Sequence, residues 1–76
     1  MKTEIKDIST DYIKLDTFLK LVGAVSTGGQ AKEWVKSGKI TVNGEVCIQR
    51  GRKLHTGDTV KIAGGETDYT VGKQKE

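Results

Sequence analysis

The chain has 76 residues, which is enough for one small domain with a single core. Its hydrophobic share is 34% and its charged share is 30%, yet the apolar residues recur periodically, which indicates a folded domain rather than a disordered chain. The net charge of +3 is unevenly spread: residues 14–53 hold eight Lys or Arg and three Asp or Glu, a net of +5. A basic middle of this kind predicts a polyanionic partner, with nucleic acid as the first candidate.

Cysteine and histidine usage excludes several classes of site. Cys47 is the one cysteine and His55 the one histidine, so neither an internal disulfide nor a tetrahedral zinc set of these residue types is expected. The longest apolar run, residues 21–25, is far short of the roughly 20 residues that span a bilayer, and the first residues lack the apolar core of a signal peptide. We therefore expect a cytoplasmic protein with no membrane segment and no metal or cofactor.

The first third of the chain predicts a strand followed by a helix. Residues 3–8 alternate weakly between apolar and polar side chains, which indicates an edge strand, and residues 12–13 form a second short extended piece. Between Leu15 and Val22 the apolar residues recur at i, i+3, i+4 and i+7, the spacing of one helix face. Gly23 is a natural end for this first helix.

A second helix is predicted to begin at Thr27. Thr27 and Gln30 have the spacing of a capping box, in which two side chains satisfy the free amides of a helix start. Ala31 and Trp34 share the apolar face, so we interpret Trp34 as a core residue. Gly38 suits the left-handed position after the last turn. Two helices joined by a short turn are expected to pack together.

The remainder of the chain predicts short strands and turns. Asn43-Gly44 between the apolar segments 39–42 and 45–48 indicates a hairpin with a type I′ turn, whose second strand is expected to be short or bulged. Downstream we expect a turn at residues 54–58 and a strand at residues 60–62. A second turn is expected at residues 64–65, a last strand at residues 69–71 and a loose tail at residues 73–76.

The predicted fold is a single α+β domain over residues 1–76, with its core at about residues 13–62. Two packed helices lie against a small, mostly antiparallel sheet of about four to five strands.

Three pieces of sequence occur in a familiar order. They are Lys14-Leu15-Asp16-x-Phe18-Leu19, Ala31-Lys32-x-Trp34-Val35-x-x-Gly38-x-Ile40-x-Val42-Asn43-Gly44 and Gly57-Asp58-x-Val60. This order resembles the RNA-binding domain named after the fourth protein of the small ribosomal subunit, here called the S-four domain. With residues 27–32 and 50–54 included, the chain is most similar to small stand-alone bacterial proteins of the YaaA and YbcJ type.

The resemblance implies an αL motif, in which two helices and the following hairpin present basic side chains to structured RNA. It implies an RNA contact at Lys14, where many members have Arg, and a helix-organising acid at Asp16. Asn43-Gly44 matches the family turn. Gly28 departs from the pattern, because many members carry Arg there, and the departure removes one phosphate contact.

The basic residues and this resemblance together define a candidate RNA site. Arg50, Arg52 and Lys53 surround Gly51, and the planar guanidinium group of Arg suits phosphate oxygens. Aromatic residues are 5% of the chain, which favours recognition of RNA shape and backbone over base stacking. The predicted RNA contacts are Lys14, Gln30, Lys32, Lys36, Lys39, Asn43, Arg50, Arg52 and Lys53.

The predicted function is binding of structured RNA, with ribosomal RNA or a ribosome-associated RNA as the candidates, by a monomer without catalytic residues or a small-molecule substrate. Two alternatives stay open: a protein-interaction module that uses the sheet edge or the Trp34 face, and an accessory RNA-binding subunit of an RNA-modifying enzyme. Duplex DNA is a further option without a clear base-reading set. Residues 27–29 either cradle a phosphate or form a flexible turn between the helices.

Overall fold

The structure is a computed structural model that describes residues 2–74. Two packed helices and two sheets in these residues confirm the α+β class. In chain order the elements are β1 (Lys2–Ile8), β2 (Ile13–Lys14), α1 (Leu15–Leu21), α2 (Gly28–Lys36), β3 (Ile40–Val42), β4 (Glu45–Val46), β5 (Lys53–Leu54), β6 (Thr59–Ile62) and β7 (Thr67–Lys73).

The main sheet has five strands in the order β1-β7-β6-β3-β4, and β2 and β5 form a separate two-stranded sheet. All pairings are antiparallel except that of β1 with β7, which is parallel. The mostly antiparallel sheet and the edge strand near the N-terminus were therefore predicted correctly. The loose tail was placed too early, because Lys73 belongs to β7 and the N–H of Gln74 donates to the carbonyl of Ile8 at 2.9 Å. Residues 75–76 of that tail lie outside the described residues.

Local chemistry sets the bounds of α2. The hydroxyl of Thr27 accepts a hydrogen bond from the N–H of Gln30 at 3.1 Å, as a capping residue should. The side-chain oxygen of Gln30 accepts from the N–H of Ser26 at 2.9 Å, one residue before the position expected for a capping box. At the other end, Gly38 has a φ of +78°, the left-handed conformation that closes a helix.

The hairpin of β3 and β4 has the predicted turn. Asn43 has a φ of +53° and Gly44 a φ of +86°, as a type I′ turn requires at both central residues. Val42 lies opposite Glu45, and β4 ends after two residues, so the second strand is short as expected.

The core lies between the helices and one face of the main sheet. Both helices contribute buried side chains, and the alternation of β3, β6 and β7 turns one apolar row of the sheet towards them. Trp34 packs partly buried against this core. The fully buried side chains with the largest volumes are those of Leu15, Phe18, Leu19, Val35, Ile40, Val42, Leu54, Val60 and Val71.

Leu54 corrects the sequence interpretation. It was predicted to open a turn, but it lies in β5 opposite Ile13 and is 0% exposed. A single apolar residue among polar neighbours has no periodicity to mark it as part of a strand. Its burial anchors the segment that precedes it to the core.

Replacing Leu54 with Ala tests this anchor. We expect the Leu54→Ala variant to lose about 2 to 5 kcal/mol of unfolding free energy, because it removes buried methyl groups and leaves a cavity. Urea denaturation followed by circular dichroism measures the loss. Leu21→Ala is the matched control, since Leu21 is 45% exposed and lies in α1, where Ala is a good helix former. Equal losses in both variants would contradict the assignment.

Candidate nucleic-acid interface

The short sheet of β2 and β5 joins two distant parts of the chain. Lys14 lies opposite Lys53, and Ile13 lies opposite Leu54, in an antiparallel register. Leu54 is buried while Lys14 and Lys53 are exposed, so the pairing directs its apolar residues inward and its cations to the surface. Two predicted RNA contacts that are far apart in sequence therefore become neighbours.

The loop before β5 is bound to the start of α1 by its main chain. Lys14 caps α1 without a side-chain hydrogen bond, so the first amides of the helix need other acceptors. The carbonyl of Arg52 accepts from the N–H of Leu15 at 2.9 Å, and the carbonyl of Arg50 accepts from the N–H of Asp16 at 3.1 Å. These bonds place four exposed cations together, which we call the basic cluster: Lys14, Arg50, Arg52 and Lys53.

The basic cluster has no carboxylate partner within ion-pair distance among residues 2–74. The ion pairs in that range join Lys61 to Asp68 at 3.6 Å and Lys73 to Asp11 at 3.8 Å, both elsewhere. Asp16 lies beside the cluster, but its carboxylate accepts a hydrogen bond from the N–H of the next residue at 2.8 Å. The cluster therefore repels cations and attracts anions, and no ion pair within residues 2–74 neutralises its charges.

Tyr12 lies beside the basic cluster and was not predicted as part of the site. The ammonium of Lys53 lies 4.8 Å from the centroid of the Tyr12 ring, within the range of a cation–π contact. The ring of His55 lies on the same tyrosine, with 6.3 Å between centroids. An isolated aromatic in a polar segment gives no sequence signal for this contact. The partly exposed tyrosine thus holds one cation of the cluster in position.

The exposed face of α2 carries a second basic surface. Lys32 and Lys36 lie one turn apart and line a shallow depression together with Gly29, Glu33 and Ser37. Glu33 partly offsets their charge. This face is a candidate for additional phosphate contacts, but it lacks the density of cations found in the basic cluster.

Lys39 lies in a different environment from Lys32 and Lys36. Its ammonium is 5.8 Å from the centroid of the Trp34 ring. Trp34 in turn lines a groove with Ile62 and Tyr69. The predicted RNA-binding residues therefore do not form one continuous group within the described residues.

Two of the predicted contacts are amides that the fold itself uses. The Nδ2 of Asn43 donates to Asp58 at 3.1 Å, and its Oδ1 accepts from the N–H of Thr59 at 3.0 Å. The Oε1 of Gln30 accepts from the N–H of Ser26. Asn43 thereby joins the hairpin turn to the start of β6, and Gln30 fixes the approach to α2. Both side chains thus serve the fold, and because both residues are exposed, their contact with RNA stays a prediction.

Asp58 is a carboxylate with several hydrogen-bond partners in the turn before β6. Partial burial raises the pKa of this carboxyl. Hydrogen bonds from the N–H of His55 and the side chain of Asn43 lower it, as do the nearby charges of His55 and Arg52. Together they outweigh burial and hold the pKa below its ordinary value of 3.8. Its Oδ2 accepts from the N–H of His55 at 2.8 Å. The folded chain therefore favours the charged carboxylate.

Two further findings concern metal binding and membrane spanning. Within residues 2–74, no three His, Cys, Asp or Glu side chains lie together as a metal site would require. Neither helix of the described chain is long and apolar enough to cross a membrane.

Comparison with known proteins identifies the fold family. The model of the S4 domain matches residues 6–71. The chain belongs to the S4 domain family. This is the S-four domain whose motif order the sequence resembles, so that interpretation is confirmed. A relative from Bacillus subtilis (strain 168), named "Probable ribosome maturation protein RlbA", is 44% identical over 57 residues, which cover 75% of this chain and 80% of the relative.

The hydrogen bonds of Asp58 in this S4 domain predict a pH-dependent contribution to stability. Because folding lowers the pKa, the contribution is present above the unfolded value of about 3.8 and is lost as the pH falls through the folded value. We expect Asp58→Asn to lower the melting temperature at pH 7 by about 4 to 8 °C, which corresponds to about 1 kcal/mol for one lost hydrogen bond. The difference from wild type should shrink in acid. A constant difference from pH 7 down to the acid limit of folding would contradict the assignment.

Proposed function

We propose that this S4 domain binds structured RNA through the basic cluster, by contacts to the phosphate backbone and to RNA shape. The observation that carries the proposal is the cluster itself: four exposed cations held together by main-chain bonds, with no carboxylate partner in the described range. Phosphate oxygens supply the negative charge that this surface lacks, and guanidinium groups bind them in a bidentate manner. Membership of the S4 domain family supports RNA as the polyanion.

The exposed lysines of α2 extend the proposed RNA surface. Lys32 and Lys36 follow the solvent face of the helix that packs on α1, and α1 carries the basic cluster at its start. Lys39 is included as a peripheral contact because it is exposed and follows the same helix. A duplex or folded RNA presents rows of phosphates that such separate cations can engage together.

We further propose that the bound RNA is ribosomal RNA or part of a ribosome assembly intermediate in the cytoplasm. The relative named as a probable ribosome maturation protein supports this choice among structured RNAs. Ultraviolet crosslinking in cells, followed by sequencing of the bound RNA, tests it directly. Enrichment of ribosomal RNA over transfer RNA and messenger RNA is the expected result, and an even distribution would contradict it.

No catalytic role is proposed for the chain. Cys47 is buried at 6% exposure, and its thiol lies 3.5 Å from the carbonyl of Gln49, so it is not placed to attack a substrate. His55 contacts Tyr12 through its ring and Asp58 through its main-chain N–H, which is an arrangement for a turn. These contacts support a binding module rather than an enzyme.

Protein binding is the second candidate function. A groove favours it, because its apolar part suits side chains of a partner. The apolar lining residues are Ala24, Trp34, Ile62 and Tyr69, and Gly65, Glu66 and Thr67 complete the groove. Recovery of the protein from cells before and after nuclease treatment separates the two functions. Partners that persist without RNA would favour this groove or attachment to an RNA-modifying enzyme.

Salt dependence tests the basic cluster in vitro. We expect the affinity for ribosomal RNA to fall with salt, and the Arg50→Ala, Arg52→Ala double variant to reduce the log–log slope by about 1.4 to 1.8, since each phosphate contact contributes about 0.7 to 0.9. The carbonyls that cap α1 are retained in this variant, so its fold should persist. Fluorescence anisotropy across a salt series measures the slope.

The matched control for that variant is Lys61→Ala with Lys73→Ala, which removes the same charge at two cations that already have acidic partners. We expect its slope to equal that of wild type. A wild-type affinity that does not change with salt would contradict the proposal, as would equal losses of slope in the two double variants.

Gly28 offers a gain-of-function test. A side chain at Gly28 would meet no atom within 4 Å, and its backbone is not left-handed, so Arg fits there. Since many members of the family carry Arg at this position, we expect Gly28→Arg to add one phosphate contact and raise the slope by about 0.7 to 0.9. Gly51→Arg is the comparison, because that position is also open and lies within the existing cluster. An unchanged slope in Gly28→Arg would place the RNA away from the start of α2.

A further inference from the structure

Strand β1 is an open edge of the main sheet. Within residues 2–74 it has a neighbouring strand on one side only, and its first six residues are exposed. Ile5, at its centre, is 68% exposed, the highest value among the exposed large hydrophobic residues of the described chain. A seven-residue edge with an apolar centre is a surface on which another strand can pair.

The hydrogen bonds to β7 show which main-chain groups of β1 remain free. The N–H of Lys2 donates to the carbonyl of Glu66 at 3.0 Å, and the carbonyl of Ile8 accepts from the N–H of Gln74 at 2.9 Å. Because the main-chain groups of successive residues point to alternate sides of a strand, the even-numbered residues face β7. The residues whose N–H and carbonyl groups face the open edge are Thr3, Ile5 and Asp7.

We propose that two copies of this chain associate by antiparallel pairing of their β1 strands about a two-fold axis at Ile5. In this register Ile5 lies opposite Ile5 of the second copy, and both belong to the set with outward main-chain groups. Glu4 then lies opposite Lys6 of the second copy, and by symmetry Lys6 lies opposite its Glu4. Each dimer thus gains two opposite-charge pairs in addition to one apolar pair.

The other symmetric registers are less favourable. An axis at Glu4, Lys6 or Asp7 places that charged residue opposite its own copy, which is destabilising. An axis at Thr3 leaves the second half of β1 without a partner strand. The axis at Ile5 alone pairs Lys2 through Ile8 completely and sets opposite charges against each other.

Pair geometry strengthens this register. Residues that exchange main-chain hydrogen bonds alternate with residues that do not, and the second type have Cα atoms only about 4.5 Å apart, with their side chains closer. Ile5 belongs to the first type. Glu4 and Lys6 belong to the second type, so their carboxylate and ammonium groups are favourably placed to form ion pairs across the axis.

The dimer would be closed and weak. Pairing consumes the β1 edge of both copies, and β4 at the opposite edge of the sheet has only two residues, so further strands have little to join. An interface of one strand pair falls in the size range of transient complexes, below about 1,200 Å².

The sequence predicts a monomer, and the open edge of β1 changes that prediction to a dimer at high protein concentration. The proposal does not depend on RNA binding.

Charge exchange across the axis tests the register. Sedimentation equilibrium should show the mass of wild type rising from 8.3 kDa towards twice that value as the concentration approaches about 1 mM. Glu4→Lys sets lysines opposite each other and Lys6→Glu sets glutamates opposite each other, so each variant alone should remain a monomer. An equimolar mixture of the two should associate, as should the chain that carries both substitutions.

Glu33→Lys is the control for Glu4→Lys, since it makes the same change of charge on α2, away from β1, and should associate as wild type does. Melting curves of all variants establish that the monomer fold is retained. The proposal is overturned by a wild type that stays at 8.3 kDa up to 1 mM, by single variants that associate like wild type, or by a mixture that does not associate.

Discussion

The start of α1 is the constraint on which the candidate site depends. A helix needs acceptors for its first amides, and Lys14 supplies none through its side chain. The carbonyls of Arg50 and Arg52 fill this role and so fix the loop before β5 against the helix. Burial of Leu54 holds the same segment from the other side. The position of the basic cluster is therefore a consequence of helix capping and core packing, both of which act through the main chain and an apolar side chain.

Much of the fold follows from local sequence. Apolar spacing identifies both helices, Asn43-Gly44 identifies the hairpin turn through its positive φ values, and Thr27 identifies the start of α2. Pairing between distant segments does not follow, because short polar strands carry no mark of their partner. The parallel pairing of β1 with β7 and the placement of Leu54 opposite Ile13 are long-range facts of this kind.

The sequence predicted the surface position of the charged side chains, and it was less informative for the amides. Lysine and arginine stay at the surface whatever the fold, so Arg52 and Lys53 were sound candidates from sequence alone. An amide can serve either the fold or a ligand, since it both donates and accepts. The side chain of Asn43 bonds to Asp58 and Thr59, a role that depends on a turn packed against it from a distant part of the chain. No local pattern could show that choice.

The basic cluster needs an explanation outside the fold. The atoms that position residues 50–52 are carbonyl oxygens, which any amino acid supplies, and the side chains of Arg50 and Arg52 are exposed. Four neighbouring cations oppose one another electrostatically, and no carboxylate within residues 2–74 pairs with them. Stability would be served as well by neutral residues at these positions. This uncompensated charge is the basis of our proposal that an anion binds the cluster from outside, with the phosphate backbone of RNA as the proposed anion.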